Sequence, residues 1–149
     1  MGNIDIGRWI LGGVVAAIVL FVVDFVVNGL ILMQQWTDAM AALQQPPVGE
    51  SVGEIVFFAI LNLLIGLTAI WIYAGIRPRF GPGVTTAVYA GVATWILAYL
   101  VPNAFFLSTS LFPAVLLWTG IIIGIFQVVV ATVAGAWLYQ EEGQAGAAP

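Results

Sequence analysis

The sequence predicts an all-α protein: an integral membrane four-helix bundle with both termini in the cytoplasm. Three observations lead there. Four long apolar runs lie between residues 9 and 139. Of 149 residues, 62% are hydrophobic and only 7% charged, whereas a soluble domain carries about 25% charged residues. All three basic residues, Arg8, Arg77 and Arg79, fall on the same side of the four runs, and such residues favour the cytoplasmic face.

A spanning helix needs about 20 mostly apolar residues. The runs place spans at about 9–33, 55–73, 84–101 and 113–139 within a single domain, residues 1–140. Arg8 ahead of the first run resembles the start of a signal peptide. A signal h-region holds about 7–15 residues, however, and this run is longer, so a retained helix is expected. Gly2 is not a myristoylation site, because Ile6 stands where Ser or Thr is required.

Residues 34–45, QQWTDAMAALQQ, hold good helix formers and no breaker before Pro46. They are expected to extend the first helix or to bend into an interfacial one, with Trp36, Met40 and Leu43 along one stripe. Ser51 and Glu54 form a capping box ahead of the second span. The run from Arg77 to Gly83, with Pro78 and Pro82, is expected to be a tight turn. Pro102 is expected to end the third span, and Pro113 to sit at or near the first turn of the fourth. Trp9, Trp36, Tyr73, Trp137 and Tyr139 mark span ends in the manner of an aromatic belt. The Gly/Ala-rich tail 141–149 is expected to be flexible.

Each span carries a stripe of small residues, the usual mark of close helix contact in lipid. Gly66 lies in the second, Gly91 in the third, and Gly120 and Gly124 in the fourth as a GxxxG pattern. That pattern is read as packing within the bundle, with self-association as the alternative.

Asp24 interrupts the first span. An aspartate at a span centre costs about 2.5–3.5 kcal/mol, and flanking Leu, Ile, Phe and Val each return about 0.3–0.6. The helix therefore inserts, but Asp24 must face inward and find partners. Asn28, Asn62 and Gln127 are placed at similar depth and supply amide groups. With no Lys or Arg at that level, Asp24 is expected to be neutral and to donate to Asn62 or Gln127. This cluster reads either as a functional site or as a device that fixes helix register.

No enzyme is expected. Cys and His are absent, which removes thiolate chemistry and the commonest base and metal ligand. Ser108, Thr109 and Ser110 have no base beside them, and Glu141 and Glu142 sit in the tail. A net charge of −4 argues against nucleic acid as a partner.

The segment Trp71–Gly83, with the core sequence IRPRFGPG, resembles a turn in small uncharacterised bacterial four-helix membrane proteins. The Asp24…Asn28-Gly29 region and the closing Ala134–Tyr139 are similar too. The resemblance covers most of the chain and implies a multi-pass protein of the bacterial inner membrane. It implies no activity. The leading expectation is a non-enzymatic accessory or structural subunit packed against other membrane subunits or itself. The alternatives are a small oligomeric pore or carrier using the Asp24 cluster, and a binder of an apolar pigment, quinone or lipid. Phe57, Phe58, Trp95, Tyr99, Phe105 and Phe106 are the candidate lining of such a pocket.

Overall fold

The computed structural model describes residues 4–139, and every regular element among them is helical. The helices are α1 (Ile6–Asp24), α2 (Met33–Ala42), α3 (Val52–Phe80), α4 (Val84–Trp95), α5 (Val101–Thr109) and α6 (Ala114–Leu138). Two π-helical segments, Phe25–Ile31 and Ile96–Leu100, continue α1 and join α4 to α5. Four helical runs result: Ile6–Ile31, Val52–Phe80, Val84–Thr109 and Ala114–Leu138. Each is long and apolar enough to cross a membrane. At about 1.5 Å per residue they exceed the roughly 30 Å of a hydrocarbon core.

The helices outrun the apolar runs at several ends. α3 continues through Pro78 to Phe80, so the turn begins only at Gly81. Pro78 is exposed and lies in the last turn, where it removes a single helix bond and the next amides carry on; Gly81 N donates to Arg77 O at 2.8 Å. Gly81 and Gly83 then take φ of 82° and 131°, which favour glycine. Pro102 does not end the third run either. The π segment precedes it, Val101 N donates to Ile96 O, and Asn103 Nδ2 donates to the Tyr99 carbonyl at 2.7 Å. The run thus continues across the proline, with a wider turn before it and a side-chain bond to the backbone after it.

Residues 33–42 form a helix of their own. Leu32 leaves the helical register at φ −102°, ψ 8°. Leu32 and Ala39 then pack with Leu116, flanked by Trp36 and Phe112. The Ser51–Glu54 capping box forms at the start of α3: Glu54 N donates to Ser51 Oγ at 3.2 Å, and Ser51 N to Glu54 Oε2 at 3.1 Å. Ser108 and Thr109 lie at the end of α5, with their hydroxyls bonded back to Phe105 and Phe106 carbonyls. The tail expectation for 141–149 falls outside the described residues.

Glycines hold the half of the bundle nearer the arginines. A Cβ on Gly66 would stand 2.5 Å from the Gly13 carbonyl oxygen, and one on Gly12 would stand 2.7 Å from the Gly135 carbonyl oxygen. Gly91 lies as closely against Val129 Cα, where a Cβ would stand at 3.0 Å. α1 therefore touches α3 and α6 backbone to backbone, which only small residues permit. Ala16, Leu20, Ile70, Ala87, Ala90 and Val128 fill the core between them. Arg77 is buried at this end, its guanidinium 5.7 Å from the Tyr139 ring centre, a cation–π distance.

The opposite half is packed differently. No residue is buried in Phe21–Ile31, in Val52–Leu61, or in Trp95–Thr109. Along this half the buried residues are Leu116, Leu117, Ile121 and Gly124 on α6, with Leu32 and Ala39 against Leu116. The contrast is plain along one face of α3. Asn62 is 4% exposed, whereas Ile55, two turns earlier on that face, is 38% exposed.

Candidate functional site

The site is a polar cluster where the two halves meet. Gln127 lies near the middle of α6 and is buried. Its Nε2 donates to Asp24 Oδ1 at 2.8 Å, to the Leu20 carbonyl at 3.2 Å and to Tyr99 Oη at 3.2 Å. Asn62 on α3 also reaches the Asp24 carboxyl. One amide thus ties α1, α6 and the π segment of the third run together, and Asn62 adds α3.

Helix geometry explains the convergence. Side chains lean toward the N-terminus of their own helix. Asp24 therefore leans back toward Leu20, while Asn62 and Gln127, on antiparallel helices, lean the other way to meet it. Tyr99 reaches α6 because that surface is hollow. A Cβ on Gly124 would stand 2.7 Å from Tyr99 Cδ1, and one on Gly120 would stand 3.2 Å from Asn103 Oδ1. The GxxxG pair is thereby filled from within the chain, by a tyrosine ring and an asparagine.

Three of the four residues expected at the polar focus come together: Asp24, Asn62 and Gln127. Asn28 does not join them. It is exposed, and its Oδ1 accepts from Trp36 Nε1 at 3.0 Å. The bend at Leu32 brings Trp36 back over it and gives it a partner away from the cluster. At Gln127 the bond runs from amide to carboxyl, with Nε2 donating and Asp24 Oδ1 accepting, rather than the reverse direction, one of the two expected from the sequence.

Asn62 satisfies its own amide only in part. Nδ2 donates to the Phe58 carbonyl at 3.1 Å, while the buried Oδ1 has no donor. Tyr99 is the member that sequence reasoning left in another role. The signal was present in Pro102-Asn103, which marks an irregular turn directly after it.

The six candidate pocket aromatics divide. Phe57 pairs with Phe58, and Phe105 with Phe106, at ring separations of 6.1 Å and 5.7 Å. Trp95 and Tyr99 turn to α6 instead, with Trp95 Nε1 donating to the Ile121 carbonyl at 2.9 Å. Arg8 pairs with Asp5 at 3.5 Å, and Arg79 is exposed. Among the described residues no group of three or more Asp or Glu side chains could hold a metal ion.

Compared with protein-family profiles, with curated proteins and with solved structures, the chain matches none. The functional reading therefore rests on the geometry.

Proposed function

We propose that this chain is a multi-pass protein of a bacterial inner membrane, with both termini cytoplasmic, acting as a non-enzymatic accessory subunit of a larger membrane assembly. One observation carries the reading. Three of the four long helical runs leave a stretch of 10 to 15 residues without a single buried residue, always at the end away from the arginines. Helices that are apolar but unpacked on their inward face, as Ile55 is, present a surface of the kind that a neighbouring helix fills. The stapled half supplies a rigid base for it. The residue types also suit a scaffold, since the chain has neither Cys nor His.

The test is gentle extraction of the tagged protein from its native membrane, followed by mass measurement of the intact particle. A stoichiometric second subunit supports the reading. A monomer that carries only lipid overturns it.

A second reading, a small oligomeric pore or carrier, is favoured by the polar pair of Gln127 and Asp24 set midway along apolar helices. A pure homo-oligomer that passes ions would select it.

A further inference from the structure

We infer that the groove between α2 and the start of α6 is a lipid site, holding a phospholipid whose primary-ammonium head group sits on the Asp38 carboxylate. The inference rests on the four runs crossing a bilayer and is independent of the accessory role.

The groove follows from the spacing on α2. Gln35, Asp38, Ala39 and Ala42 fall at i, i+3, i+4 and i+7, so they share one helix face. Ala39 packs with Leu116 and anchors that face to α6. Each alanine offers only a methyl group. A hollow of about 280 Å³ therefore remains, walled on the far side by Leu111, Pro113 and Val115. That is close to the lower end of small-molecule sites, about 300 Å³.

Its position suits an amphiphile. Leu111 and Pro113 lie between the third and fourth runs, and Val115 in the first turn of the fourth. The groove thus opens at the end of the spans, where head groups lie. From there Val115, Trp118 and Ile122 continue along α6 in steps of three and four, 58%, 52% and 56% exposed. A polar rim above an apolar stripe matches a head group with an acyl chain lying along the helix.

Charge selects the head group. Of the described residues that line the groove, Asp38 alone is charged and none is aromatic. Asp38 Oδ1 accepts from Gln34 Nε2 at 2.9 Å, and its other oxygen has no partner among the described residues. The other charged residues at that end, Glu50 and Glu54, are acids too, and Glu54 is engaged by its capping box. Arg8, Arg77 and Arg79 all lie at the opposite end. An anionic head group finds no cation here. A primary ammonium has three N–H donors, enough for the free Asp38 oxygen and the Gln35 amide oxygen. A quaternary ammonium has none and is held by aromatic rings instead. The groove therefore fits phosphatidylethanolamine rather than phosphatidylcholine.

The experiment is native mass spectrometry of the full chain in detergent, given equimolar phosphatidylethanolamine, phosphatidylcholine and phosphatidylglycerol with matching acyl chains. Wild type is expected to retain one phosphatidylethanolamine about fivefold over either competitor, the factor that a good exposed ion pair supplies. Asp38→Asn should lose that preference. Glu50→Gln, which removes an acid outside the groove, should keep it. Helix content by circular dichroism checks that each variant is folded, and the wild-type comparison is decisive without them. In native membranes, a photoreactive residue at Val115 should capture phosphatidylethanolamine. Four results each overturn the inference: equal retention of the three lipids or preference for a competitor, a preference that survives Asp38→Asn, one lost equally in Glu50→Gln, or a polypeptide captured at Val115.

Discussion

Gln127 and Asp24 are 103 residues apart in the chain and meet at 2.8 Å, amide to carboxyl. The contact joins the first helical run to the last at the level where close packing gives way to open packing. It is therefore a natural clamp between the two halves. Interhelical hydrogen bonds in membrane proteins average about 0.6 kcal/mol and reach about 1.7. Gln127→Leu is expected to destabilise the bundle by about 1 kcal/mol, on the upper side of that average because three acceptors lose their donor. Combined with Asp24→Leu in a double-mutant cycle, it should show a coupling of about 0.6 kcal/mol. Unfolding in detergent measures both quantities, and zero coupling would mean that the pair does not clamp the bundle.

Two glycines on α3 should respond with opposite signs. At Gly66 a methyl would meet backbone atoms, the Gly13 carbonyl at 2.5 Å and Ala17 N at 2.7 Å, and backbone cannot yield locally. Gly66→Ala should destabilise by about 1–3 kcal/mol, as overpacking does. Gly75 is exposed with nothing within 4 Å of a Cβ, so Gly75→Ala should stabilise by about 0.5–1 kcal/mol through helix propensity. Equal effects at both positions would remove the glycine staple from the description.

The capping box isolates the open half. Ser51→Ala should cost about 1 kcal/mol at the start of α3. Because Val52–Leu61 holds no buried residue, that loss should appear as local fraying. Amide exchange is expected to quicken over Val52–Leu61 and to stay unchanged around Ala69–Ala74. Uniform acceleration along α3 would show that the helix unfolds as one unit.

The legibility of this fold follows from which signals are strong in a sequence. Four apolar runs declare four helices whatever their neighbours do, and Ser51 with Glu54 marks a start. Helix ends at prolines are weaker signals. Pro78 sits where one lost bond is cheap, and Pro102 follows a π turn that absorbs it. The π segments themselves leave no sequence trace, since one extra residue per turn changes neither composition nor hydropathy. Nor is the bend at Leu32 written in the sequence, and it gives Asn28 a partner in Trp36 rather than in the cluster. Tyr99 was ambiguous because an aromatic with a polar tip suits a belt, a pocket or a core equally. Asp24, Asn62 and Gln127 were legible because buried polar groups in an apolar helix need one another.

Orientation is open to a direct check. A reporter fused after Tyr139 should be cytoplasmic, and one inserted near Pro46 should be exported, because Arg8, Arg77 and Arg79 favour the cytoplasmic side. A cytoplasmic reporter at Pro46 reverses the assignment.

The central claim is that a partner fills the open half, and site-directed photo-crosslinking in native membranes tests it most directly. Ile55 lies on the inward face of α3 in the open half and is 38% exposed, while Trp71 is 56% exposed in the stapled half. With a photoreactive residue at each position in turn, Ile55 should crosslink to one defined polypeptide and Trp71 to lipid alone. Lipid adducts alone at Ile55, or the same polypeptide captured equally at Trp71, would contradict the claim.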